Sequence, residues 1–328
     1  MPRVLVAPDS FKGTYSATAV ARAVGDGVRA AGADAELCPV ADGGEGTIEV
    51  LAEAFGGATL QVPAHDALGR EIVAGVELVG ESIAIVEMAR ASGLALIDPA
   101  DRDAERASTF GTGELIVGAR DAGAREIIVT VGGSATSDGG RAALDAIDRG
   151  GGLAGVKLVC FCDVDTPYER AAEVFGPQKG ADPAAVERLT DRLLELASGF
   201  PRDPRGVPGT GAGGGLSGAL WAVHGAELRP GADWVLDALG FDERIGRADA
   251  LICGEGRLDD QSLSGKIVGA VARRAARAGI PVHAVVGSNT LTIDEIESLG
   301  LASVHEATDE HAMRDAGAAI AAAAIGAG

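Results

Sequence analysis

Apolar residues fall along this 328-residue chain in short runs of strand length, separated by stretches with helical period. Residues 3–7 (Arg-Val-Leu-Val-Ala) read as a strand, 16–31 as a helix with Ser16 at its N-cap, and 36–40 as a second strand, with a further helix from Gly44. This alternation predicts a parallel sheet covered by helices. Between 59 and 97 the pattern changes to short β-branched segments with turn signals, such as 71–76 and 82–86, which predicts an antiparallel excursion. Helix and strand then alternate again through 114–122, 126–131, 139–147 and 157–162. A Pro/Gly-rich stretch covers 199–215, and a last α/β segment has strands at 250–253, 281–286 and 301–304. The alanine-rich C-terminus reads as a helix packed on that sheet, and no internal repeat is present. The expected fold class is therefore α/β with two α/β domains. A Rossmann-like or flavodoxin-like domain is built from both chain ends (1–62 and 240–328), and an inserted domain with a mixed sheet spans 63–239. The active site is expected in the cleft between the two.

Composition sharpens this picture. Hydrophobic residues make up 47% of the chain but aromatics only 3%, so the core is expected to be Ala, Val, Leu and Ile, as suits helices on a sheet. The formal net charge of −20 argues against nucleic acid or an anionic membrane surface as a partner, and points to a small-molecule substrate. No apolar run reaches transmembrane length, and the chain opens directly into a strand, so no signal peptide and a cytoplasmic location are expected. The four cysteines, Cys38, Cys160, Cys162 and Cys253, form no metal-binding spacing and read as buried thiols. Against 24 arginines stand only four lysines, and three of them, Lys12, Lys179 and Lys266, adjoin a glycine. A compact ammonium beside a flexible turn suits phosphate binding, although chance accounts for any one of them equally well.

Four Gly- and Asp-rich turns directly follow predicted strands, where open α/β sheets place their ligand sites. They are residues 7–13 (with Asp9, Ser10 and Lys12), 41–46 (Asp42, Gly43, Gly44, Glu45), 132–140 (Gly133, Ser134, Asp138) and 254–259 (Glu255, Arg257, Asp259), the last followed by Gly265-Lys266. One such turn is usually just a turn, with Gly and Asp supplying positive φ and local hydrogen bonds. Four at strand ends suit phosphoryl transfer, which needs positioning and charge neutralisation more than covalent help. There is no G-x-x-x-x-G-K-[ST] loop, since Lys266 precedes Ile267. Residues 209–214 match G-x-G-x-x-G but follow a Pro-rich loop rather than a strand, so Gly213 and its neighbours read as a phosphate-covering or hinge loop. The five histidines have no motif partner, and Ser10 and Ser134 lack the setting of a nucleophilic serine.

At these residues the chain resembles the bacterial glycerate kinases of the type that forms 2-phosphoglycerate, the type I glycerate kinase family. The resemblance rests on 7–13, 40–47, 132–140, 174–181 and 254–259 with Gln261 and Gly265-Lys266, in order over nearly the whole length. It implies two α/β domains, ATP as phosphoryl donor with Mg²⁺, and D-glycerate as acceptor in a monomer or homodimer. Among the matching positions, Asp9 or Asp42 is expected to orient and deprotonate the acceptor hydroxyl. Lys12, Lys179, Lys266 and Arg257 are expected to neutralise carboxylate and phosphates, and Asp138, Glu255 and Asp259 to stand on the magnesium side. Ser10, Gly43, Gly44, Glu45, Gly133, Ser134, Gln178 and Gly213 are expected to bind substrate or nucleotide. Two departures stand out: the segment after Gly140 is shorter than in much of the family, and Ser137 stands where Asn is usual. The first bears on acceptor choice, so a related hydroxy acid is the alternative substrate. A non-catalytic nucleotide or metabolite sensor is the alternative class, and a dinucleotide oxidoreductase is disfavoured by the context of residues 209–214.

Overall fold

A computed structural model describes residues 1–11, 14–43, 46–259, 262 and 267–326. Its strands along the chain are β1 (Arg3–Pro8), β2 (Asp34–Leu37), β3 (Gly57–His65), β4 (Glu71–Val79), β5 (Ile83–Glu87), β6 (Glu126–Thr130), β7 (Lys157–Phe161), β8 (Glu227–Arg229), β9 (Ala250–Glu255), β10 (Val282–Val286) and β11 (Leu301–Glu306). They form two sheets, and the chain divides into two compact units: Met1–Ala54 with Pro230–Gly328, and Phe55–Arg229. The boundaries thus lie at 54/55 and 229/230, against the 62/63 and 239/240 read from the pattern. The first shifts because β3 pairs with β4 from Gly57 to His65 and so goes with the insertion. The second shifts because the helix Gly231–Ala238 is tied to the helix Ile267–Ala278 by the Asp233 and Asp237 carboxylates on Arg274.

In the terminal unit the strand order is β11-β10-β9-β1-β2, with every pair parallel. Counted within the unit this is the flavodoxin-like order 2-1-3-4-5, whose switch point lies between β1 and β9. The sheet centre reads as continuous apolar runs because it is covered on both faces. The helix Ala17–Ala30 begins where Ser16 Oγ accepts from Ala19 N at 3.2 Å, as the sequence predicts. Its buried Val20, Val24 and Val28 recur at helical spacing, and each such burial is worth ~2 kcal/mol. The C-terminal helix Glu310–Gly326 lies on this helix through small residues. A Cβ on Gly27 would fall 1.9 Å from Arg314 O, and one on Gly317 2.2 Å from Val24 O, so the two backbones touch where only glycine fits.

The inserted unit carries the order β3-β4-β5-β6-β7-β8, antiparallel at β3-β4-β5 and parallel beyond. This is the mixed sheet that the change of pattern at 59–97 predicts. Its core runs from Val62 and Val76 through Ile127, Val129 and Leu158 to Leu216 and Leu220. The helix expected over 139–147 begins at Arg141 instead, because Gly139 and Gly140 take φ of 67° and 73°. Among the described residues no helix is long and apolar enough to cross a membrane.

Candidate active site

In the terminal unit, a cavity of about 480 Å³ opens at the C-terminal ends of the parallel strands. Asp9 and Ser10 follow β1, Asp42 stands beyond β2, Glu255, Arg257 and Asp259 close β9, Gly287 and Ser288 follow β10, and Thr308 stands beyond β11. The two turns on either side of the switch point are joined by one backbone bond, and the first is tightened by a second bond to its own aspartate. Asp9 N donates to Gly254 O at 2.8 Å, and Ser10 N donates to Asp9 Oδ1 at 2.6 Å. The turn after β9 is bonded to the one after β10, with Leu258 N donating to Ser288 O at 2.9 Å and Ser288 N to Gly256 O at 3.1 Å. Such cross-bracing keeps the carboxylates where the strands deliver them.

Glu255 is 7% exposed and accepts from Ser262 Oγ at 2.5 Å, while Ser262 Oγ itself accepts from Asp259 N at 3.2 Å. This one serine links the Glu255 carboxylate to the Asp259 backbone. Arg257 Nε lies 3.7 Å from Asp259 Oδ2 and is largely in solvent. Four carboxylates and one guanidinium thus line the cavity among the described residues. An excess of that size repels a bare anion and favours a cation or a hydroxyl donor. Ser10 Oγ is shielded from water and has no hydrogen-bond partner among the described residues, although Ser10 lines the cavity.

The donor set is hard oxygen, which suits magnesium. Among the described residues no three His, Cys, Asp or Glu side chains cluster closely enough to hold a metal by themselves. Magnesium needs only one or two protein carboxylates alongside water and phosphate oxygens, so Glu255 and Asp259 fit that ion.

The inserted unit treats its own glycine-rich turns differently. Gly132 and Gly133 are exposed and Ser134 half-exposed beyond β6, where Leu94 N donates to Gly133 O at 2.8 Å. From Ala135 onward the turn goes inward. Asp138, expected on the magnesium side, is 2% exposed. Its Oδ2 accepts from both Thr109 N and Thr109 Oγ1 at 2.8 Å, and its Oδ1 from Gly140 N at 3.1 Å. Three protein donors therefore take up this carboxylate, which anchors the start of the helix Phe110–Asp121. Lys179, expected to neutralise substrate charge, is also 2% exposed and donates to Thr136 O at 2.5 Å. Burial pulls its pKa from 10.5 down to about 8, with Asp138 acting in the opposite direction.

Gly213, read as part of a phosphate-covering loop, is core packing. A Cβ there would meet Met88 Sδ at 2.9 Å and Val131 Cβ at 3.1 Å. The neighbouring Gly214 leaves no room either, since its Cβ would fall 1.9 Å from Thr136 O. The loop 209–215 and the turn 136–140 lie backbone against backbone, with Gly139 N donating to Gly214 O at 3.0 Å.

The structure thus brings Asp9, Ser10, Asp42, Glu255, Arg257 and Asp259 to one cavity in the terminal unit, with Gly43 next to Asp42 at φ 97°. In the inserted unit it places Gly133, Ser134 and Gln178 outward and Asp138, Lys179 and Gly213 inward. Lys12, Gly44, Glu45 and Lys266 lie outside the described residues. The sequence reading did not single out Phe11, Thr14, Gly256, Gly287, Ser288 or Thr308, which also line the cavity. The strand-end rule that found Asp9 and Glu255 reaches Gly287, Ser288 and Thr308 as well, because they follow β10 and β11.

Comparison with known proteins identifies the family. The glycerate kinase family profile matches residues 4–151 and 151–325. A glycerate kinase of Halalkalibacterium halodurans is 39% identical over 88% of this chain and 86% of its own length. The glycerate 2-kinase of Escherichia coli is 36% identical, over 92% of this chain and 89% of its own. The crystal structure of a Salmonella typhimurium LT2 protein assigned as glycerate kinase 2 superposes with a TM-score of 0.83 at 36% identity, covering 99% of this chain and 97% of that one. Similarity at this level, in sequence across both units and in fold across nearly the whole chain, places the protein in the glycerate kinase family.

Proposed function

We propose that this enzyme transfers the terminal phosphoryl group of ATP to a hydroxyl of D-glycerate, forming 2-phosphoglycerate and ADP. The observation that carries the reading is the carboxylate-lined cavity at the switch point of a parallel sheet, in a chain of this family. ATP follows as co-substrate from kinase membership. The acceptor oxygen attacks the terminal phosphorus, the bond from that phosphorus to the ADP oxygen breaks, and the hydroxyl proton passes to a carboxylate. Asp9 and Asp42 are the bases in reach of a ligand in the cavity, and their negative charge also aligns the hydroxyl for in-line attack. Ser10 Oγ supplies an unengaged hydroxyl beside them. Magnesium, when bound by Glu255 and Asp259, neutralises phosphate oxygens. Arg257, at the cavity's solvent side, contributes positive charge toward the anionic substrates. The net charge of −20 supports a small-molecule rather than a nucleic-acid partner, and the reading includes a cytoplasmic monomer or homodimer.

The alternative is a related small hydroxy acid as acceptor in the same transfer, since the segment after Gly140 bears on acceptor choice. The test is coupled ADP release with ATP, Mg²⁺ and D-glycerate, followed by phosphorus NMR of the product. Formation of 2-phosphoglycerate is the expected result. Turnover only with another hydroxy acid selects the alternative, and no ADP release with any acceptor overturns the kinase reading.

A further inference from the structure

A second cavity, of about 220 Å³, lies in the terminal unit and shares no lining residue with the one described above. Its floor is apolar. Ala21 comes from the helix Ala17–Ala30, Leu37 and Pro39 from the end of β2 and the residues after it, Val50 from the helix Thr47–Phe55, and Leu239 from the end of the helix Gly231–Ala238. Close packing leaves few such spaces in a protein, and an apolar hollow edged by a few polar groups is the usual form of a small-molecule site.

The charges at its edge define what fits. Glu53 is engaged, since Thr18 Oγ1 donates to it and Arg22 Nη2 lies 3.6 Å away. Glu36 is shared, with Arg3 Nη2 at 2.8 Å and Arg244 Nη1 at 2.9 Å. Arg244 Nε donates to Leu239 O at 3.0 Å, which fixes the guanidinium, yet its Nη2 has no partner among the described residues and is not shielded from water. Three guanidiniums thus meet two carboxylates in these pairs, in a chain whose net charge is −20. A fixed guanidinium with an open N–H edge above an apolar floor suits a carboxylate carried on a small apolar body.

Position ties this cavity to the candidate active site. Leu37 and Pro39, before the turn that carries Asp42, line it, and so do Val50 and Glu53, on the helix that starts after that turn. The helix Gly231–Ala238 makes the same connection by another route. At its start a Cβ on Gly231 would fall 2.5 Å from Asp42 O and 2.6 Å from Gly43 Cα, and at its end stands Leu239. Two helices therefore reach from the Asp42 turn to the second cavity.

We propose that this cavity is an effector site for a small organic carboxylate with an apolar body, and that its occupancy is felt at the Asp42 turn through these two helices. A ligand that favours one arrangement of the helices over another shifts the turn with them.

The experiment titrates benzoate, and benzamide as its uncharged counterpart, into ¹⁵N-labelled wild type, Ala54→Trp and Arg244→Gln, followed by amide NMR. Ala54 lines the cavity from an exposed position, so tryptophan there fills the space without entering the core. Wild type is expected to show saturable shifts at Leu37, Val50 and Leu239, with benzamide binding about tenfold more weakly and each variant losing benzoate affinity by about tenfold. No saturable binding of benzoate, or binding that Ala54→Trp leaves unchanged, overturns the site, and Ala54→Trp decides the matter should Arg244→Gln fail to fold. Benzamide binding as well as benzoate overturns the carboxylate assignment. The Gly43 amide is expected to move with benzoate occupancy in wild type, and an unmoved Gly43 at saturation overturns the coupling. In steady-state assays benzoate is expected to change the KM for D-glycerate by about threefold in wild type, whereas Ala54→Trp keeps the basal kcat/KM and loses the response. An unchanged KM at saturating benzoate overturns the effector role. An inactive wild type overturns the glycerate reading instead, and the amide titration, which needs no turnover, still decides the effector site.

Discussion

The terminal unit and the inserted unit both end strands in turns of glycine, serine and aspartate, and they use them in opposite ways. After β1 and β9, Asp9, Glu255 and Asp259 line a cavity. After β6, Asp138 points into protein and is taken up by Thr109 and Gly140, while Lys179 fastens the Thr136 carbonyl from inside. The difference follows from what packs beyond each strand end. The terminal unit leaves the space above its switch point open, as doubly wound sheets do. In the inserted unit the loop 209–215 fills the space against residues 136–140, backbone to backbone. The same residue types therefore line a cavity in one place and serve architecture in the other.

The largest effect that tests this contrast is catalytic. At least one of Asp9→Asn and Asp42→Asn is expected to lower kcat/KM by 10²- to 10⁴-fold, ~3–5 kcal/mol of transition-state stabilisation. Tm should change little, and full activity in both variants would remove the base from this cavity.

Stability changes come next, and they belong to the inserted unit. Asp138→Ala leaves the Thr109 and Gly140 donors without their acceptor, so urea unfolding should show a loss of ~3 kcal/mol. Gly214→Ala places a methyl on the Thr136 carbonyl at a residue with φ of 68°, for a similar loss of ~3 kcal/mol. A stable but inactive Asp138→Ala protein would return Asp138 to the ligand-facing class and erase the contrast.

A subtler effect is in pH. Lys179 titrates at about 8 in the folded protein against 10.5 as its ordinary value, because burial disfavours the charged form. Above 10.5 neither state carries the proton there. Between 10.5 and 8 the unfolded chain is protonated first, so the folded state loses stability as pH falls, and below 8 the penalty is complete. Wild-type stability relative to Lys179→Met should therefore rise by up to ~3 kcal/mol from pH 8 to 10.5. A flat difference over that window would mean that the ammonium is solvated. The smallest effect is expected at the surface pair Asp203–Arg205, where Asp203→Ala should leave Tm unchanged because exposed ion pairs contribute little.

Much of the architecture was legible in local pattern. The runs that became β1, β9, β10 and β11, the Ser16 cap and the antiparallel stretch at β3-β4-β5 all follow from periodicities set by neighbouring residues. Element ends were less legible. The helix expected from residue 139 starts at Arg141, since two glycines there adopt left-handed backbone that nearby residues do not announce. In the site, Asp9, Asp42, Glu255 and Asp259 were found by one rule, carboxylate after parallel strand. Ser288 and Thr308 passed unnoticed because a lone hydroxyl in a turn carries no distinctive pattern.

By itself, then, the sequence determined the class of fold, most strands of the sheets and the turns that could carry phosphoryl chemistry, because each depends on residues close together in the chain. Which turns face a cavity and which face protein was decided only by tertiary structure. Asp138 meets Thr109 across 29 residues, Lys179 meets Thr136 across 43 and Gly213 meets Thr136 across 77. Whether a polar group meets solvent, ligand or a carbonyl depends on which distant segment arrives beside it, and no local pattern of residues encodes that arrival.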